Sequence, residues 1–131
     1  MTTTTSLRYD EVHVGDELPP LEVPLTRTLI VATAIASRDY QDVHHDPTLA
    51  VERGSPDIFM NILSTNGFVG RFITDWAGPD ATIKRVAIRL GAPNYRGDTM
   101  VMTGSVTAEH DGVVEVAVRG PTAGATTSPA R

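Results

Sequence analysis

There is no cysteine in the 131 residues, so disulfide support and thiolate chemistry are both excluded, and a metal would have to be held by the four histidines and the carboxylates. Positive charge is also short. Eleven Lys and Arg against sixteen Asp and Glu leave a formal net charge of −5. With a pI near 5.2 there is no basic stripe to neutralise phosphates, which argues against nucleic acid as the main partner. No apolar run approaches the ~18 residues of a membrane span, and the start MTTTTSLRYD has no positive region followed by an apolar core. The expectation is a cytoplasmic chain without a membrane segment. A glycine-rich phosphate loop and a serine nucleophile elbow are missing too. At 14.0 kDa the chain has the size of one domain over 1–131, with irregular ends at 1–6 and 121–131.

What is present is organised around 58–76, IFMNILSTNGFVGRFITDW, the one run that predicts a long core helix. Ile62, Val69, Ile73 and Trp76 recur at helical spacing on one broad stripe. Asn61, Ser64, Thr65 and Asn66 bring amides and hydroxyls into its first turns, where they either satisfy hydrogen bonds or line a site. Gly67 and Gly70 each cost about 1 kcal/mol of helix propensity, which points to close approach of another backbone.

Upstream, 7–24 carries Gly15, Pro19, Pro20 and Pro24 and reads as an extended lead-in with at most a short edge strand near 9–14. Thr26 or Thr28 can cap a helix that stops near Ser37 to Asp39. Asp46 and Pro47 open a second, short helix that reaches about Glu52 and is ended by Gly54 and Pro56. Downstream of the long helix, 81–93 alternates through Ile83, Val86, Ile88 and Leu90 and predicts a strand with a bulge. Met100, Met102, Gly104, Val106 and Ala108 share one face of the next strand. Asp111 and Gly112 form a hairpin turn, and Val114, Val116 and Val118 follow in phase. This order predicts an α+β fold in which a long antiparallel sheet curls over a single helix. The strands are few, and an exposed edge would invite a partner.

Function is sought in the loop QDVHHD between the first two helices. Asp39 and His44 lie five residues apart across a turn, which lets both side chains reach one cleft. A histidine can pass a proton either way near neutral pH, and a carboxylate in reach can orient it or share a water with it, which suits addition or removal of water. Read locally, the pair could equally be a backbone cap and a packed histidine. His45 is expected to face solvent and Asp46 to cap the next helix. A metal site from Asp42, His44, His45 and Asp46 has suitable ligand types, but adjacent side chains do not easily converge.

At these residues the chain resembles the MaoC-type hydratases and dehydratases of the hot-dog superfamily, from about Thr26 to Val118. The matching signature is ASRD ending in Asp39, then YQDV, His44 with His45, Asp46-Pro47, and the long helix opening as IFMNILSTNG. Two departures stand out: Gln41-Asp42 replaces the usual Asn-Pro, and Met60-Asn61 replaces the usual His-Gly. Within the family, RDYQDVHHD, DIFMNIL and TDWAGP are most similar to the small MaoC-type subunits of actinobacterial steroid side-chain enoyl-CoA hydratases. The resemblance implies Asp39 and His44 as the catalytic pair and the backbone N–H groups of Asn61 and Ile62 as donors to the thioester oxygen. The substrate would be a 2-enoyl-CoA and no cofactor would be needed. The expected partner is a second MaoC-like chain lacking the catalytic pair, often fused to a zinc-ribbon and OB-fold type module. Lys84, Arg85 and Arg89 are candidates for the CoA arm, set against a solvated strand face. If only the backbone donor at Asn61 matters, glycine at that position is expected to preserve activity. A catalytically idle subunit, a hot-dog thioesterase and a homodimer remain the competing readings.

Overall fold

A computed structural model describes residues 5–120. The expected irregularity of 121–131 lies outside the described residues, as do residues 1–4.

Three helices begin where the sequence supplies a cap. Thr26 Oγ1 accepts the Leu29 N–H at 3.1 Å and opens α1, Arg27–Ala36. Asp46 Oδ1 accepts from the N–H groups of Thr48 and Leu49 at 3.0 and 3.1 Å, and with Pro47 at the first helical position it opens α2, Pro47–Glu52. The long helix α3 runs over Ile62–Ala77 and is capped by Asn61. It starts four residues later than periodicity suggests, because Ile58 to Met60 are held extended. The Met60 N–H donates to Asn94 O at 3.0 Å and Phe59 bridges to Tyr95.

The sheet is antiparallel in the order β1-β2-β3, with β1 Glu17–Pro24, β2 Thr99–His110 and β3 Val113–Arg119. Asp111 and Gly112, at φ 53° and 76°, make the tight β2–β3 turn. The lead-in departs from expectation. Residues 9–11 form a single 3₁₀ turn, and the strand lies further on, in the proline-rich ELPPLEVP. It survives its prolines because β1 is an edge strand and the register shifts between Leu18 and Leu21, so Pro19 and Pro20 sit in the irregularity. The strand expected over 81–93 is also corrected: 81–91 carries no ladder among the described residues.

Val69, Phe72 and Ile73 of α3 pack with Met100, Met102 and Val106 of β2 and with Val116 and Val118 of β3, all buried. Helix and sheet come close at Gly104, where a Cβ would stand 3.0 Å from Phe72 Cε2 and 3.0 Å from Ala117 O. The close approach expected at Gly67 and Gly70 is therefore found elsewhere: nothing lies within 4 Å of a Cβ at Gly67, and Gly70 meets only Ile83 Cδ1 at 4.0 Å. The N-terminal lead-in is likewise tied down at Ser6, whose Oγ accepts the Asp80 N–H at 2.7 Å beside the end of α3.

Candidate active site

The corner between α1, the loop after it and the start of α3 is shaped by backbone rules. Arg38 takes a left-handed φ of 56°. Its N–H returns to Ile35 O at 3.0 Å and that of Asp39 to Ala34 O at 2.9 Å. This paired closure of the helix end fixes Asp39 at the exit of α1. A 3₁₀ turn over Asp42–His44 then reverses the chain and buries His44, while His45 stays exposed. The turn is braced from outside. Arg53 grips Asp42 through Nε at 2.6 Å and Nη2 at 2.8 Å, and this guanidinium holds the Asp42 carboxyl below the usual carboxylate range. His45 Nε2 lies 3.1 Å from Tyr40 O. Asp42, His45 and Asp46 are thus engaged in shaping the loop.

The sequence pair meets. His44 Nε2 stands 3.4 Å from Asp39 Oδ2, with side-chain exposures of 8% and 24%. On the far side of the ring, His44 Nδ1 is 2.8 Å from Phe59 O, and the Phe59 ring sits edge-on at 4.9 Å. A carbonyl oxygen can only accept, so Nδ1 carries hydrogen and Nε2 of the neutral ring presents a lone pair towards the carboxylate. Two acceptors that face each other can share a donor, such as one water. After taking a proton, the imidazolium is an ion-pair partner of the same carboxylate.

Asp39 has a second neighbour that periodicity did not assign. Asn61 Nδ2 donates to Asp39 Oδ2 at 3.1 Å and to Ser37 Oγ at 2.8 Å, while Asn61 Oδ1 accepts the Ser64 N–H at 3.0 Å and the Ser64 hydroxyl. Ser37 and Phe59 carry no signal of a site in the sequence, and Ser64 is marked only as one of the polar residues that either satisfy hydrogen bonds or line a site. The polar start of an oily helix marks hydrogen bonding without naming its partner. Asn61 and Ile62 stand at the N-terminus of α3 as expected, and their backbone N–H groups meet no acceptor among the described residues.

Lys84, Arg85 and Arg89 are not drawn to this corner. All three are exposed on the 81–91 segment, and Lys84 lines a cavity of about 290 Å³ with Leu7, Trp76 and Val114. A groove of about 340 Å³ between α1 and α3, lined by Leu63, Gly67, Phe68 and Ala36, adjoins the corner through Ser37 and Ser64. Among the described residues no three His, Cys, Asp or Glu side chains converge as metal ligands, and no helix is long and apolar enough to cross a membrane.

No family model matches the chain. Among curated proteins it is 53% identical over 107 residues to the 3-oxo-4,17-pregnadiene-20-carboxyl-CoA hydratase beta subunit of Mycobacterium tuberculosis, covering 82% of this chain and 83% of that one. Among solved structures it superposes on a chain of the ChsH1-ChsH2 complex from M. tuberculosis with a TM-score of 0.81 at 48% identity, over 89% of this chain and 94% of that one. The (R)-hydratase PhaJ1 of Pseudomonas aeruginosa superposes with a TM-score of 0.83 at 17% identity, over 95% of this chain and 82% of that one, a likeness of fold. With the Asp39–His44 corner at the start of a helix laid on an antiparallel sheet, and with a relative this similar over most of both lengths, the chain belongs to the MaoC-like hydratase and dehydratase family, on the hot-dog fold.

Proposed function

We propose that the chain is the catalytic subunit of a heteromeric hydratase that adds water across the α,β double bond of a 2-enoyl-CoA thioester with a steroid side chain. The observation that carries this reading is the Asp39–His44 contact of 3.4 Å, with the ring oriented by Phe59 O. The substrate class rests on the similarity to the M. tuberculosis beta subunit. In this reading Asp39 and His44 hold one water between them. Its oxygen bonds the β carbon, one of its protons passes to the pair, and the pair delivers a proton to the α carbon, so one water is consumed and no group is left over. The charge that builds on the thioester oxygen is met by the N–H groups of Asn61 and Ile62 at the positive end of α3. Hydration written this way needs no cofactor. The groove beside Ser37 and Ser64 suits the apolar acyl group, and the partner is a second MaoC-like chain that completes the pocket.

The exposure of Asp39 and the facing lone pairs favour this reading over an idle subunit, whose pair could be sealed or divergent. D39N and H44A test it in the chain co-expressed with the second MaoC-like chain, assayed by loss of enoyl-thioester absorbance from 3-oxo-4,17-pregnadiene-20-carboxyl-CoA. Each is expected to lower kcat by about 10² to 10⁴, the usual contribution of a positioned acid or base, with assembly intact by light scattering. Near-normal turnover by both variants would show that the pair is not catalytic. Release of free CoA by the wild type would move the chain to the thioesterases.

A further inference from the structure

Capping alone does not select asparagine at position 61. Ser, Thr and Asp accept an N3 hydrogen bond as well as Asn does, and glycine there costs only a few tenths of a kcal/mol. What Asn adds is Nδ2, and both of its hydrogens are used, one on Ser37 Oγ at 2.8 Å and one on Asp39 Oδ2 at 3.1 Å. The amide cannot be turned over. Its Oδ1 faces two donors of Ser64, and the Ser37 hydroxyl is committed as a donor to Thr33 O at 2.7 Å and Ala34 O at 3.0 Å, so its oxygen is left to accept. Reversal would set a carbonyl oxygen against a carboxylate oxygen and an NH₂ against an N–H. All of this lies in a residue only 2% exposed, where an unmatched polar group is expensive and a matched one is rigid.

The same Asp39 oxygen takes both side-chain contacts, from Asn61 and from His44. When His44 is neutral its Nε2 has no hydrogen to give, so Asn61 is then the side chain that donates to Asp39 among the described residues. Among the described residues Oδ1 meets only the Gln41 N–H, at 3.4 Å. We propose that Asn61 is a positioning residue for the reaction: its side-chain amide anchors Asp39 Oδ2 to the N-cap of α3 and so sets the carboxylate's orientation towards the shared water. This rests on the hydratase reading of the Asp39–His44 pair. It also reverses the expectation that glycine at 61 is tolerated, because the backbone donor is only half of what Asn61 supplies.

N61D and N61G separate the two halves in the assembled protein, co-expressed with the second MaoC-like chain and assayed on 3-oxo-4,17-pregnadiene-20-carboxyl-CoA. N61D keeps the cap acceptor and removes both Nδ2 donors. N61G removes them without adding a charge, and it decides the question if N61D does not fold. Misplacing a reacting group by a fraction of its working geometry costs up to about 10²-fold, so both variants are expected to lose about ten- to a hundredfold in kcat with KM within about threefold of wild type. A residue that only stabilised the helix would lower the thermal midpoint and leave kcat per folded molecule unchanged. If N61G turns over within about threefold of the wild-type kcat while D39N is inactive, the positioning role is overturned and the catalytic pair stands. If D39N is itself fully active, the pair is not catalytic and the positioning role falls with it.

Discussion

The two ends of α3 are built differently. At its N-terminus every polar side-chain atom that is buried has a partner within the chain, and Asn61, Ser37, Ser64, Asp39, His44 and the Phe59 carbonyl close on one another. Towards its C-terminus, Gly70, Ile73 and Trp76 lie against the extended segment 81–91, whose Ile83 and Ile88 touch the core but whose N–H groups from 82 to 91 meet no backbone acceptor among the described residues. A buried polar network whose members are all paired is rigid. An extended, amphipathic stretch without a ladder presents unpaired backbone groups that another strand could pair with. The first end is where we place the chemistry and the second is where a partner would complete the sheet. The heteromer is a proposal that fits this contrast.

The contrast can be broken from the ordered side at Asp57, which braces the approach to Phe59 and Asn61. Its carboxylate accepts from Arg96 Nε at 2.9 Å and from the Ile58 N–H at 2.7 Å, and Arg27 Nη2 lies at 3.5 Å. Arg96 chiefly, then the Ile58 N–H, hold the Asp57 carboxyl below its ordinary value against the opposing effect of burial. A depressed carboxylate contributes stability above its unfolded value, about pH 3.9, and that contribution is lost as pH falls through the folded value. With both arginines about half exposed, D57N is expected to cost about 1–2 kcal/mol at pH 7. The gap to wild type should close as the pH drops below about 4. Denaturant unfolding at pH 7 and in the acid range measures it, and a gap independent of pH would show that packing and not charge is at stake.

How much of this was legible in the sequence follows the same divide. Thr26, Asp46 and the Asp111-Gly112 turn act through their nearest neighbours in the chain, and all three do what their residue types predict. Asp39 and His44 meet across a short loop, but the loop alone leaves a cap and a packed histidine equally open, and only the family resemblance singles them out as a pair. The Asn61–Asp39 bond joins residues 22 apart, and nothing local announces it. The lead-in failed for another reason. Its prolines exclude a central strand and leave room for an edge strand, but residue type does not say that the edge strand lies over the prolines themselves, where a register shift accommodates them. The alternation over 81–93 describes surface that is half-buried on one side, a pattern a strand shares with an extended segment that carries no ladder among the described residues.

A smaller effect is expected at Gly67, on the groove between α1 and α3 that adjoins the corner. It is helical, a Cβ there would meet nothing within 4 Å, and its φ is not in the left-handed range. Alanine should therefore stabilise the chain by about 0.5–1 kcal/mol through helix propensity alone. Thermal unfolding checks the gain. If the groove carries the acyl group, kcat/KM for the steroid thioester falls in the more stable variant while a short enoyl-CoA is unaffected, which sharpens the placement of the substrate.

The smallest effect is expected in the extended segment itself, and it bears most directly on the contrast. Val86 is 38% exposed, the highest of the large apolar residues on 81–91, and no hydrogen bond or ladder fixes its backbone among the described residues. Substitutions away from packed or hydrogen-bonded features usually stay within about 0.5 kcal/mol, so V86K should leave the unfolding midpoint of the chain alone nearly unchanged. The same lysine placed in a sheet that continues into a second chain would oppose association by charge and desolvation. Its effect should then show in the yield of complex with the second MaoC-like chain, measured by light scattering, and in activity per chain at limiting protein. A chain that loses more than about 1 kcal/mol on its own would mean that 81–91 is part of its folded core. A complex formed as readily as with wild type would move the interface away from this edge.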